Sequence, residues 1–322
     1  MLCINEKEIL EAVTLEELMD AVETALLLYE KKEFEMPLRM QTDYRGNTLL
    51  LMPCFTENRF AAKLVSLFPG NAGRNLPVLM GTVILNDGET GEPLALLNGA
   101  KLTALRTGAV GGVGVRYLTS PGIATLGIVG AGVQGLHQAL FACRERDITR
   151  VYVYDRDPDI SYSFMLKFVE LLPGVKIYLA GTIEDLLEES DLIITATNAV
   201  QPVLPEREEL LRGKHFIGIG SYKPEMREFP EALFTLLDEM YVDTEHAVEE
   251  AGDLIEPLKN GWLKREQVST LGKLVMNNEK KEAGKRGATL FKSVGMALFD
   301  LVVADLIYRQ ARQKGIGTSI EL

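Results

Sequence analysis

Three glycines in the stretch LGIVGAGVQG, Gly130, Gly132 and Gly135, stand at the spacing G-x-G-x-x-G. That spacing serves the binding of a dinucleotide pyrophosphate. The first glycine allows a tight turn, the second lets the backbone approach the phosphates, and a helix N-terminus stabilises their charge. The pattern alone is weak, so its context decides. An apolar strand precedes it, an amphipathic helix follows it, and the next strand, RVYVYD, ends in Asp155, 20 residues after Gly135. A carboxylate there accepts hydrogen bonds from the ribose hydroxyls of the adenosine half. Asp155 favours NAD(H), because it would repel a 2′-phosphate. Arg156 beside it is able to pair with that phosphate, which leaves NADP(H) open as a second cofactor.

A second group of residues is notable for its surroundings. Lys63 interrupts FAAKLVSLF, Arg106 sits in LTALRTG, and Arg39 follows Met36-Pro37-Leu38 at the mouth of an expected strand. A cation among apolar residues is costly without an anion. For any one of them a structural carboxylate is as good an explanation as a functional one. Three in the front part of the chain make a carboxylate-binding pocket the more attractive reading, with guanidinium forks gripping bidentately. The histidines, His137, His215 and His246, fall in no polar cluster, which disfavours a histidine-centred dehydrogenase. Cys3, Cys54 and Cys143 show no metal-ligand spacing and read as reduced thiols.

The elements that must position these groups follow from periodicity. Thr14 followed by Glu17 is a capping-box pattern, and Leu15, Leu18, Met19, Val22, Ala25 and Leu26 then recur at helical spacing. Short apolar runs, TLLLMPCF, RFAAKLVSLF, LMGTVILND and EPLALLNG, read as an antiparallel meander. TALRTGAVGGVGVRYL reads as a helix whose Gly108, Gly111 and Gly112 imply close approach by another backbone. From Ala124 the rhythm becomes strand–helix alternation, the pattern of a doubly wound parallel sheet. The charged stretch NNEKKEAGKRG reads as a solvated, mobile linker. A last helix, from about Val294 to Gln313, is apolar on most sides and therefore buried, returning to the first domain. The expected fold class is α/β: a dinucleotide-binding Rossmann domain over 121–293, and an α+β substrate-binding and dimerisation domain with an antiparallel sheet over 1–120 and 294–322.

Composition narrows the function classes. Asp and Glu number 46 against 34 Lys and Arg, a net charge of −12, and no basic tract stands out. That argues against a nucleic-acid partner, and an anionic substrate must be held by local cations against the overall field. The N-terminal MLCINEKEIL carries acid early, unlike a signal peptide, and no apolar run reaches membrane-spanning length; the expectation is a cytoplasmic protein.

Taken in order, MPLRM, LLLMPCF, AAKLVSLFPGN, LPVLMGTVILND, ALRTGAVGG, GIVGAGVQG, GSYKPEMRE and TLFKSVGMALFD give the chain a resemblance, over nearly its whole length, to the ornithine cyclodeaminase/mu-crystallin family. The resemblance implies a homodimer, a front domain that binds substrate, and a following Rossmann domain. By motif, Arg39, Lys63 and Arg106 match the family's substrate-carboxylate ligands, with Lys63 and Arg106 at the catalytic centre. Thr107, Gly132, Val133, Gln134 and Asp155 match cofactor contacts, as do Thr195, Thr197, Ile219 and Ser293, the last near the nicotinamide. Two positions depart from the cyclodeaminases. Leu50 stands where they place a glutamate for the substrate amine, and Tyr222 where they place an aspartate. Without those acids a diamine side chain would meet apolar and phenolic surroundings. GSYKPEMRE and FKSVG look instead like the family's ketimine and Δ1-pyrroline-2-carboxylate reductases. The expectation is NAD(P)H-dependent reduction of a small cyclic imino acid, with Lys63 orienting the imine or supplying its proton. Alanine dehydrogenase activity, ornithine cyclodeaminase activity and a non-catalytic binder of mu-crystallin type are the alternatives.

Overall fold

The computed structural model describes residues 1–74, 76–281 and 287–321. Residues 282–286, within the stretch expected to be a mobile linker, lie outside the described residues. The chain divides into two units, Met1–Arg106 with Met296–Leu322, and Thr107–Gly295.

In the first unit α1 (Leu15–Lys31) begins at the capping box. Thr14 Oγ1 accepts from the Glu17 N–H at 3.2 Å, and the Glu17 carboxylate accepts from the Thr14 N–H at 2.8 Å. Its buried stripe includes Leu18, Val22, Ala25 and Leu26, and it packs on the closing helix, Ala297–Lys314. The strands are β1 (Leu2–Ile4), β2 (Met40–Tyr44), β3 (Asn47–Phe55), β4 (Arg59–Leu67), β5 (Leu79–Asp87) and β6 (Pro93–Asn98). Neighbours from β2 to β6 pair antiparallel, as the turns between their apolar runs dictate. The sheet is nevertheless mixed, because β1 pairs parallel with β6 and with the short strand Thr318–Ser319 antiparallel. A three-residue strand paired with distant segments leaves no periodic signal in the sequence.

Strand alternation sorts the sheet into two faces. Register Met52↔Lys63↔Val83 puts these three side by side on the inner face, with Cys54, Ala61, Val65 and Leu85. The closing helix packs against β3, β4 and β5. It starts later than its apolar run suggests, because Gly295 takes φ +77° and Met296 is extended as N-cap.

The second unit is a wholly parallel sheet. Its strands are β7 (Thr125–Val129), β8 (Arg150–Tyr154), β9 (Lys176–Leu179), β10 (Leu192–Thr195), β11 (His215–Gly218), β12 (Met240–Val242), β13 (Val268–Thr270) and β14 (Thr289–Lys292). They lie in the order β13-β12-β14-β11-β10-β7-β8-β9. The order reverses between β7 and β10, the place where ligands bind in open α/β sheets. All five residues of β7 are buried, as a central strand covered on both faces requires. The glycine-rich helix α2 (Gly99–Leu118) contains the boundary between the units. Within the second unit a Cβ on its Gly111 would collide with the Gln138 side chain, whose Nε2 donates to the Thr107 carbonyl at 2.7 Å.

Candidate active site

In the second unit the turn between β7 and α3 (Val133–Glu145) is built as the glycine spacing requires. Gly130 adopts φ +99°, and a Cβ there would lie 2.7 Å from the Ala196 carbonyl oxygen. A Cβ on Gly135 would collide with the Gly130 carbonyl, so the helix can approach the turn this closely only with glycine. Gly132 differs: it is the N-cap of α3, exposed, and a Cβ there would meet nothing within 4 Å. Space is left open at the one glycine whose role would be to admit phosphate. No side chain caps the helix, and its first residue, Val133, is 66% exposed. The first N–H groups of a 13-residue helix therefore face that space.

At the end of β8 the Asp155 carboxylate accepts from Ala131 N–H at 2.9 Å and from Asp157 N–H at 3.0 Å. Arg156 beside it is exposed. Gln134 and Thr195 each carry a buried side-chain oxygen with no hydrogen-bond partner, at the start of α3 and the end of β10. These groups, converging on the switch point, fit a dinucleotide. Its pyrophosphate would lie over Gly132 and the first turn of α3, and its ribose at Asp155.

A set of acids that the sequence reading passes over shapes the strand ends nearby. Glu228 is fully buried, and its carboxylate accepts from Thr197 N–H (2.7 Å), Thr197 Oγ1 (2.9 Å), Gly220 N–H (2.9 Å) and Ser221 N–H (3.2 Å). It thereby ties the loops after β10 and β11 together. Lys292 Nζ sits 3.7 Å from both Glu228 and Asp253, itself buried, and Asp253 holds the Glu228 and Phe229 N–H groups. Burial pushes the Asp253 carboxyl up to about 6 against the pull of Lys292. Asp243, also buried, accepts from Ser293 Oγ at 2.6 Å and from the Val294 and Gly295 N–H groups at 3.0 and 2.7 Å. Ile219 is buried, with its N–H on the Thr195 carbonyl at 2.9 Å. Tyr222 lies beyond β11 and is 39% exposed.

In the first unit the cations do converge. Lys63, 3% exposed, and Arg106, 7% exposed, share one carboxylate, that of Asp300 in the first turn of the closing helix. Lys63 Nζ lies 2.7 Å from Asp300 Oδ2, an ion pair without the line of a directed hydrogen bond. Arg106 Nε donates to Asp300 Oδ1 at 3.0 Å. Arg39, just ahead of β2, is half-buried and close enough for its charge to act on Lys63. Burial, reinforced by Arg106 and Arg39, brings the Lys63 ammonium down to about 8, although Asp300 acts in the opposite sense. Leu50, paired with Val65 in register, points to the same sheet face as Lys63. An acid at that position would face the cations.

The bland reading of a buried cation is thus half met, since Lys63 and Arg106 do have an internal anion. One carboxylate between two directly bound cations leaves positive charge in excess, and a carboxylate ligand suits that excess. Asp300 could have been found by the criterion that flags Lys63 and Arg106, a charge inside an apolar run, here VGMALFDLVVA.

Fold and site define a two-unit α/β protein of the Rossmann class, with a buried cation cluster in its α+β unit. Residues 2–315 match the model of the ornithine cyclodeaminase/mu-crystallin family, and the chain belongs to that family. A Bacillus cereus Δ1-pyrroline-2-carboxylate reductase is 34% identical over 100% of both chains. The structure of Thermococcus litoralis Δ1-pyrroline-2-carboxylate reductase in complex with NADH and L-proline is similar at a TM-score of 0.91 and 32% identity, covering 99% of this chain and 100% of that one. An archaeal alanine dehydrogenase dimer with bound NAD follows at a TM-score of 0.90 and 27% identity, covering 100% and 99%.

Proposed function

We propose that this chain is an NAD(H)-dependent reductase of cyclic α-imino acids, taking Δ1-pyrroline-2-carboxylate to L-proline or Δ1-piperideine-2-carboxylate to L-pipecolate. The observation that carries the reading is the excess of cation around Asp300, on a sheet face where Leu50 brings no second acid. Such a face suits a monocarboxylate on an apolar ring and disfavours a diamine, whose side-chain ammonium would be buried without a partner. The names of the relatives at 34% and 32% identity support the same substrate class.

Bound NADH supplies the hydride, and the protein does the rest. Arg106 and Arg39 hold the carboxylate, Arg106 through its terminal nitrogens because Nε is engaged by Asp300. Lys63 orients the ring nitrogen or gives it a proton. Leu50 and Met52, on the Lys63 face, wall the ring. Gly132, the first turn of α3 and Asp155 hold the nucleotide, with Thr107, Gln134, Thr195, Thr197, Ile219 and Ser293 as further contacts. Arg156 makes NADP(H) a second cofactor to be measured.

We further propose a homodimer. Leu49, Leu64 and Met80 lie on the sheet face opposite Lys63 and are 42%, 45% and 43% exposed, an apolar patch suited to a second copy. Among the described residues no helix is long and apolar enough to cross a membrane, and the small polar substrate fits a cytoplasmic setting.

The test is NADH consumption with each cyclic imino acid, with pyruvate plus ammonia, and with ornithine plus NAD in reverse. Turnover of a cyclic imino acid is expected. Turnover confined to pyruvate plus ammonia would make it an alanine dehydrogenase. Carboxylate binding without any turnover would make it a binding protein.

A further inference from the structure

We propose that Glu228 is the positioning residue for the nicotinamide half of the dinucleotide, setting the floor on which that half lies and leaving the adenosine half untouched. This role rests on the dinucleotide part of the reading above and holds for whatever substrate is reduced.

The strand order decides which half of the ligand lies where. Asp155, at the end of β8, would meet the adenosine ribose, and Gly132 with the first turn of α3, after β7, the pyrophosphate. Strand β8 lies on one side of β7, and β10, β11 and β14 follow on the other. A dinucleotide crosses the crevice where the strand order reverses, so its second half runs over the ends of those three strands.

Glu228 gathers those ends. It is fully buried, and each of its oxygens holds a different loop. Oε1 accepts from the N–H and the hydroxyl of Thr197, just past β10, at 2.7 and 2.9 Å. Oε2 accepts from the Gly220 and Ser221 N–H groups, just past β11, at 2.9 and 3.2 Å. Lys292, the last residue of β14, places its Nζ 3.7 Å from Oε2. The two loops are pressed together as well, since a Cβ on Gly220 would collide with the Thr197 carbonyl. Glu228 is itself anchored: its N–H donates to Asp253 Oδ1 at 2.8 Å, and its carbonyl accepts the Val203 N–H at 2.9 Å.

Thr197 shows how the acid acts through its neighbours. The hydroxyl has one proton, which goes to Glu228, and its oxygen also accepts the Ala199 N–H at 3.3 Å. Its methyl lies toward the glycine turn, 3.0 Å from where a Cβ on Gly130 would stand. Thr197 therefore has no proton to give a ligand and serves through the place of its backbone and methyl, which Glu228 sets. The glycine turn is held without Glu228. Its Gly130 and Ala131 N–H groups donate toward β8, to the Tyr154 carbonyl and to Asp155, each at 2.9 Å. A change at Glu228 thus reaches one half of the nucleotide site and spares the other.

Glu228→Gln keeps the shape but offers one accepting oxygen and one donating NH2. It can hold one loop only, because the NH2 would face the N–H donors of the other.

The experiment titrates wild type and Glu228→Gln by calorimetry with NADH and with ADP, which carries the adenosine ribose and the pyrophosphate but no nicotinamide. In Glu228→Gln the NADH dissociation constant should rise about tenfold or more, while that of ADP stays within about twofold of wild type. Equal weakening of both ligands would make Glu228 a support of the fold alone and overturn the proposal. Unchanged NADH binding would overturn it too. A wild type that does not bind NADH would strike the dinucleotide reading, and this role with it. Should Glu228→Gln not fold, Glu228→Asp keeps the charge beside Lys292 but is one methylene short of the two loops. The same split between NADH and ADP is then expected, and its absence overturns the proposal.

Discussion

The Asp155 carboxylate accepts the Ala131 N–H at 2.9 Å, joining the end of β8 to the glycine turn that follows β7. One acid thus holds the turn in shape and presents a charge where the adenosine ribose would lie. Asp155→Ala should weaken NADH binding roughly tenfold to a hundredfold, the value of hydrogen bonds to a charged group. NADPH should suffer less, since the repulsion of its phosphate goes too. The check is the ratio of the two dissociation constants, which must narrow; an unchanged ratio would mean that the ribose is read elsewhere.

Two glycines three residues apart, Gly132 and Gly135, separate binding from folding. A methyl on Gly132 meets nothing within 4 Å, whereas one on Gly135 collides with the Gly130 carbonyl. Gly132→Ala should therefore keep Tm within about 2 °C of wild type and still raise the NADH dissociation constant at least about tenfold. Gly135→Ala should lower Tm markedly. Thermal melts and nucleotide titrations of both variants decide it, and a Gly132→Ala protein that binds NADH normally would remove the phosphate from that turn.

How much of this was legible in the sequence depends on distance along the chain. The glycine turn, its strand and helix, and Asp155 lie within a short stretch and announce themselves by spacing. Lys63 and Arg106 announce themselves by being charged among apolar neighbours. Asp300 has the same signature but lies 194 residues from Arg106, in a helix whose apolar character dominates. Periodicity reports which face is buried and not which distant charge meets it. Lys292, Glu228 and Asp253 stayed hidden for the same reason, because pairing across β14, its neighbouring loop and a helix is a property of topology. The parallel β1 was illegible because three residues are too few to show a period.

Leu50 shares a sheet face with Lys63, so a carboxylate there would compete for the cations. Leu50→Glu should lower kcat/KM for the imino acid by about tenfold to a hundredfold, the scale of one charged hydrogen bond diverted. Steady-state kinetics check it. An undiminished kcat/KM would mean that the ring does not lie against this face.

His215 supplies a pH signature of folding. It is buried beside Thr289, with Nδ1 2.8 Å from Thr289 Oγ1, and burial pulls it down to about 4. The unfolded chain takes up this proton near pH 6.5 while the folded chain resists it. Stability from this group is therefore whole above pH 6.5 and is lost as pH falls toward 4, on the order of 3 kcal/mol in all. Denaturant melts across that window should show a slope that His215→Gln flattens, at a cost of about 1 kcal/mol at pH 7 from the lost partner. A slope identical in both proteins would place the acid sensitivity elsewhere.

The most direct measurement uses NADH carrying deuterium at the transferable position, with Δ1-pyrroline-2-carboxylate as substrate. Reduction of the imine predicts L-proline bearing one deuterium at Cα, with oxidised nucleotide formed in equal amount. No labelled proline or pipecolate from either ring size, together with labelled alanine from pyruvate and ammonia, would contradict the account.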